Sequence, residues 1–299
     1  MNRRQFIISS GVLLGTSMST LFAEAIAQQR LPKTPKMPVL FIGHGSPMNA
    51  IQNNRYHQSW NKLGQQLPSP SAILVVSAHW LSYGTTQVMA TPEPETINDF
   101  GGFPQALFDK QYPAKGSLET AELTQKLLQG RSQSGFQLTS ELEHERGLDH
   151  GTWSVLAAMY PDANIPVLQL SIDYEKPAAY HYDIGRQLAA LRERGVLIIG
   201  SGNIVHNLRA PRMANRKPYD WGLELDSQLG SAMADHNDKP LIDAPTKQAK
   251  IMELAHPTLE HYLPLLYTLG AKSKQDKVEF FNTDFASSAI SMRSVMYSA

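Results

Sequence analysis

Apolar residues recur along this chain with two spacings. Val39 to Ile42, in "PVLFIGHG", form a short unbroken apolar run, which predicts a buried strand. "AILVVSAHW" (72–80), "IPVLQLSI" (165–172) and the start of "GVLIIGSGNIVHN" (195–207) repeat that pattern. Between the first two runs, Tyr56, Trp60 and Leu63 fall three or four residues apart, the spacing of one helix face. Helical spacing returns at 118–129, at 178–194 and in "HYLPLLYTLGA" (261–271), and strand-like pieces close the chain over 278–298. Strands and helices alternate, and the strand–helix–strand lengths suit right-handed parallel crossovers. The predicted fold is a single α/β domain, with a mainly parallel or mixed central sheet flanked by helices. No internal repeat or low-complexity tract interrupts it.

The first residues are of another kind. Arg3 and Arg4 precede an apolar segment from Phe6 to Phe22 and then Ala25-Ile26-Ala27, the order of an export signal. The arginine pair followed by Gln5, Phe6 and Ile7 resembles a twin-arginine leader. The expected organisation is a leader over 1–27, a linker over 28–37 and a catalytic domain over 38–299. Cleavage after Ala27 is expected to leave a periplasmic protein with no stable membrane insertion.

Composition narrows the chemistry. Lys plus Arg and Asp plus Glu are 27 each, so the net charge is zero and nucleic acid is not an expected partner. There is no cysteine, which excludes disulfides, thiolate catalysis and cysteine metal sites. A metal has to be held by His, Asp, Glu or backbone oxygen, and ten histidines are present.

Several of those histidines share a position. His44 follows the first strand between Gly43 and Gly45, His79 closes the second, and His206 lies past Gly200-Ser201-Gly202 of a third. In open α/β sheets ligands bind beyond the carboxyl ends of the strands, so these imidazoles are placed to converge there. A single strand-end histidine is ordinarily structural; three in one topological position point to a site. His150 follows Asp149 at a helix-like start, where Asp149 is expected to orient a neighbouring ring or to cap the helix. His256 and His261 flank another expected helix start, with Thr258 as its N-cap and Glu260 as a nearby carboxylate. His57, His144, His181 and His236 read as surface or ordinary core positions. A cysteine-free cluster of His with one acid suits zinc or ferrous iron, at one mononuclear site. "GSGN" lacks dinucleotide glycine spacing, and "GHGSP" is not a nucleophile elbow, although Ser46 near His44 keeps a hydrolase in view.

At these residues the chain resembles a known family. "LFIGHGSPMNAI", "ILVVSAHW", "NDFGGFPQALFDKQYPAKG", "GLDHGTWSVL", "PVLQLSID", "SGNIVHNLR" and "HYLPLLYTLGA" are similar to the class III extradiol ring-cleavage dioxygenases, in the branch of DOPA 4,5-dioxygenase. The resemblance spans about residues 37–298. It implies a mononuclear iron or zinc site that opens a catechol with dioxygen. It implies His44, His79 and His261 as ligands, His206 at the metal or beside it, and His150 lining the pocket. The iron enzymes of the class use a carboxylate as third ligand; here a histidine stands there with Glu260 next to it. His206 or His150 is then expected to take a catechol proton and return it. Gly43, Gly45, Gly101 and Gly102 are expected to admit the planar ring, and Phe100 and Phe103 to supply apolar walls. The competing expectations are a zinc-dependent hydrolase and a non-catalytic metal-binding protein built on the same pocket.

Overall fold

Four parallel strands form the middle of the sheet, and their continuous apolar runs leave them buried on both faces. The computed structural model describes residues 33–211, 213 and 217–299. The leader over 1–27 and the first linker residues lie outside the described residues. In chain order the strands are β1 (Val39–Gly43), β2 (Ala72–Ser82), β3 (Thr86–Met89), β4 (Gly130–Arg131), β5 (Gln137–Leu138), β6 (Ser140–Glu143), β7 (Val167–Asp173), β8 (Val196–Gly202), β9 (Lys277–Phe281), β10 (Phe285–Ser287), β11 (Ile290–Ser291) and β12 (Ser294–Ser298). The main sheet runs β6-β3-β7-β2-β8-β1-β12-β9. β7, β2, β8 and β1 pair in parallel, whereas β12 and β9 extend the β1 side antiparallel. The sheet is therefore mixed, with a parallel centre, as the strand pattern predicts. β4–β5 and β10–β11 form separate two-stranded pairs.

Helices flank this sheet. Arg55–Gln66 is capped by Asn54, whose side chain accepts from Tyr56 N and His57 N, and it buries Tyr56 and Trp60. His150–Met159 is buried along its whole length. Ala178–Leu188 packs on Leu263–Ala271. The described residues form one compact unit. Lys33–Met37 do not all hang free as a linker: Thr34 N and Met37 N donate to Glu193 O and Arg192 O, and Met37 is buried.

Several boundaries differ from the expectation. The region 178–194 ends as a 3-10 segment, Ala189–Arg194, before Gly195 at φ 75°. The last helix starts at Leu263, with Pro264 in its first turn, where the missing N–H costs nothing. Thr258 is consequently not its N-cap; its hydroxyl donates to Glu260 Oε1 at 2.8 Å. Helices Asp220–Ala234, Asp238–Lys247 and Ala249–Ala255 have no counterpart among the predicted elements.

Two buried histidines serve the core. His181 Nε2–H donates to Lys176 O at 3.2 Å and Nδ1 accepts from Tyr267 Oη at 2.8 Å. His256 Nε2–H donates to Ile204 O at 2.9 Å. Burial pushes each pKa down from 6.5 to about 4. On acidification the unfolded chain protonates first, so stability is full above pH 6.5 and is lost as pH falls toward 4. Each ring contributes roughly 3 kcal/mol to that loss. The urea midpoint is expected to fall steadily between pH 6.5 and 4.5, with at least two protons taken up on unfolding. A flat midpoint across that range would show that these rings are protonated in the folded protein.

Candidate metal centre

Three elements deliver three imidazoles to the carboxyl end of the parallel strands. His44 directly follows β1, and its backbone N–H donates to Gly202 O at 3.0 Å, which prolongs the β1–β8 pairing by one residue. Gly45 then turns the chain at φ +60°; a Cβ there would lie 2.5 Å from Met292 Sδ. His79 does not end its strand, because β2 continues to Ser82. The β2–β7 register jumps between Val76↔Leu170 and Leu81↔Ile172, so His79 sits in a bulge, a device that re-aims a side chain. Gly151 makes room for it: a Cβ there would lie 2.9 Å from His79 Cδ2. His261 precedes the last helix, and its carbonyl accepts from Asn203 N at 2.9 Å, just past β8.

The three rings form a nearly equilateral triangle. Centroids are 5.1 Å apart for His44–His79, 5.2 Å for His44–His261 and 5.0 Å for His79–His261. One ring nitrogen from each lies within 4.8 Å of the others.

The outer hydrogen bonds decide which nitrogen faces inward. Ser201 Oγ spends its only proton on Gly151 O at 2.5 Å, so His44 Nδ1–H must donate to Ser201 Oγ, 2.9 Å away. His79 Nδ1–H donates to Asp99 Oδ2 at 3.2 Å. His261 Nδ1–H donates to Glu260 Oε1 at 3.2 Å. In the neutral form of each ring this leaves Nε2 as the nitrogen with the lone pair. His44 Nε2 and His79 Nε2 face each other at 3.3 Å, so in the neutral tautomers two lone pairs meet. A shared cation relieves that repulsion, so the donor set fits a metal ion held by His44, His79 and His261. Burial, with the neighbouring imidazoles second, holds the pKa of His44 and His261 well below 6.5 and keeps both rings in the neutral form that binds metal.

His150 and His206 stand beside the triangle. His150 is 3.9 Å from His79 by ring centroids, and its Nδ1–H donates to Asp99 Oδ1 at 2.9 Å. His206 lies flat on His261, 3.5 Å away with 6° between planes. Lone pairs lie in ring planes, so two parallel rings aim past a common point. Of the two places expected for His206, at the metal as a fourth ligand or beside it, the described residues put it beside: it is not in the group His44, His79 and His261. Burial, then His256 and His79, push its pKa down to about 3, so it is neutral.

Other expected site residues have different work. Asp149 hydrogen-bonds no histidine among the described residues: it accepts from Thr152 N as a helix cap, from Ser77 Oγ, from Gln169 Nε2 and from Arg146. Glu260 stands behind His261 rather than among the converging donors. Ser46 is exposed, and its Oγ accepts from Met48 N, so no base activates it as a nucleophile. Gly43 and Gly45 back onto Met292, whereas Gly101 and Gly102 are exposed with open space around them. Phe100 packs at 5.4 Å from Phe103 and 5.5 Å from His150, which makes it a wall of the site. His57 Nδ1 pairs with Asn49 O, and His144 is exposed.

Asp99 and Ser201 are the polar partners that the sequence reading passes over. Asp99 lies inside "NDFGGFP", an acid in a glycine-rich aromatic loop, which is the one local signal for it. Burial opposes its ionisation, but hydrogen bonds from His150 and His79 outweigh that and hold its carboxyl well below the usual range. His79, Asp99 and His150 are themselves close enough to hold a cation, but protons on the two Nδ1 atoms already fill those contacts. A cavity of about 360 Å³ lies alongside, lined by Ser46, Asn49, Asn207, Ser288 and Ile290 but by none of the histidines.

Comparison with known proteins gives the family. Residues 33–297 match the family model of the catalytic LigB subunit of aromatic ring-opening dioxygenase. The chain is 46% identical to the 4,5-DOPA dioxygenase extradiol of Escherichia coli K12, over 87% of this chain and 94% of that one. It is 37% identical to the protein of the same description from Beta vulgaris, over 87% and 96%. A crystal structure of an E. coli K12 protein described as uncharacterized superposes with a TM-score of 0.72 at 40% identity, covering 87% of this chain and 99% of that one.

Proposed function

The chain belongs to the LigB family of aromatic ring-opening dioxygenases, and from that premise we propose that it opens a catechol of the DOPA type next to its two hydroxyls, with dioxygen as co-substrate. The family is metal-dependent, and the enzyme is an extradiol ring-cleavage dioxygenase. The observation that carries the substrate reading is the convergence of three imidazoles, each with its Nδ1 paired to its own acceptor, beside two further imidazoles.

His44, His79 and His261 are the residues that would hold the ion. When bound, ferrous iron supplies Lewis acidity and a path for electrons between the two substrates; zinc supplies the first alone. The protein's own part is to place protons and exclude water. His150 and His206 flank the triangle and are within reach of a hydroxyl bound at it. One of them takes the second catechol proton on a free ring nitrogen and returns it as the ring opens, work suited to imidazole. Phe100 gives the aromatic substrate an apolar face. The leader over 1–27 leads us to propose that this reaction runs in the periplasm after twin-arginine export.

Metal analysis of protein purified without oxygen, followed at once by oxygen uptake on a panel of catechols, tests the proposal. One ferrous ion per chain with a yellow ring-opened product is the expected result. Tightly held zinc with no uptake after iron reconstitution would overturn it.

A further inference from the structure

We propose that Asp99 is the positioning residue that holds His79 and His150 in matched orientations, tying a metal ligand to the pocket base. The proposal rests on the role given to His150 above. Oδ2 accepts from His79 Nδ1–H at 3.2 Å, while Oδ1 accepts both His150 Nδ1–H and His150 N–H at 2.9 Å. One carboxylate thus fixes the tautomer of two rings from different elements, a bulged strand and a helix start.

Two observations separate this role from helix capping. The helix His150–Met159 already has Asp149 as its N-cap, through Thr152 N. A cap also has no use for an oxygen turned toward His79. The backbone leading to Asp99, moreover, is anchored without the rings. Its loop is tied down by Leu148 N→Glu95 O at 2.7 Å, Ile97 N→Leu148 O at 2.8 Å and Trp153 Nε1→Ile97 O at 2.9 Å. The anchored loop thereby presents one carboxylate to both imidazoles.

Asp99→Asn keeps the shape and replaces one acceptor oxygen by a donor, so one of the two rings loses its partner. Zinc affinity, measured by competition with a chromogenic chelator, is expected to weaken roughly 10–100-fold, the usual cost of an outer-shell partner. At saturating metal, kcat on a catechol is expected to fall about tenfold or more, with KM changed by less than about threefold. Asp99→Glu is expected to restore part of both. Ring ¹⁵N shifts of the zinc-loaded protein should show Nδ1–H for His79 and His150 in the wild type and mixed tautomers in the Asn variant. Unchanged zinc affinity and unchanged tautomers in a folded Asn variant would overturn the proposal. Weakened zinc binding with unchanged kcat would overturn its His150 half. If the wild type opens no catechol, the proposed function fails while zinc affinity and tautomers still decide the role of Asp99.

Discussion

Alanine in place of His44, His79 or His261 is expected to abolish metal binding and ring opening while leaving the fold in place. Each ring supplies one of the three ring nitrogens that converge here among the described residues. Loss of a ligand exceeds the roughly 10–100-fold cost of losing an outer partner. The Lewis acid contributes several kcal/mol to such a reaction, so activity should drop by about 10³ or more. For His44→Ala and His79→Ala the fold should survive because the deletion also removes one of the two ring nitrogens that face each other at 3.3 Å. For His261→Ala it should survive because the backbone bond from Asn203 N to the carbonyl of residue 261 does not depend on the side chain. Thermal unfolding with and without metal separates the two effects. At a metal concentration of a hundred times Kd, binding stabilises the wild type by about 2.7 kcal/mol, or very roughly 5–10 °C in a domain of this size. The variants should start near the metal-free wild type and show no shift. A variant that kept both the shift and full occupancy would remove that residue from the ligand set. The discriminating case is Glu260→Gln: with Glu260 behind His261, metal should be weakened rather than lost.

Glutamine at His150 or at His206 is expected to do the reverse, keeping the metal and losing turnover. Neither ring belongs to the group His44, His79 and His261, and His206 lies parallel to His261 rather than aimed at a shared point. A positioned general acid or base is worth about 10²–10⁴ in rate, so kcat should fall by that factor with metal content near one per chain. The two residues differ in support. His150 is braced by Asp99, whereas the neutral His206 is held by its stack on His261. A substrate whose second hydroxyl is already ionised should bypass much of the loss at whichever residue takes the proton, and comparing the two variants on such a catechol identifies it. Loss of metal from either variant would make that residue a ligand.

The strands of the centre were legible because each is buried on both faces and reads as an unbroken apolar run. The helix at 55–66 was legible through Tyr56 and Trp60, and the strand-end rule led to His44 without any coordinate. Other elements were not. Helix Asp220–Ala234 buries Leu225, Leu229 and Met233 on one side, but its polar residues crowd a periodicity too weak to stand out. The start of the last helix was misplaced because Thr258 has the chemistry of a cap while its neighbours supply the turn. Asp149 had a cap's position and a ligand-orienter's neighbourhood, and only its contacts with Thr152, Ser77 and Gln169 separate the two.

By itself the sequence determined the α/β class, the absence of cysteine chemistry, the histidine-based site at strand ends and the family resemblance. Only the tertiary structure decided which histidines converge. His79 reaches the centre through a bulge, His261 fills the third corner, His206 stacks outside it, and Asp99 arrives from a loop bridged to Leu148. The reason is physical. Apolar periodicity reports the surroundings of one element along its own length. The distance between side chains of different elements depends on strand order and register, and a one-residue slip turns every side chain to the opposite face.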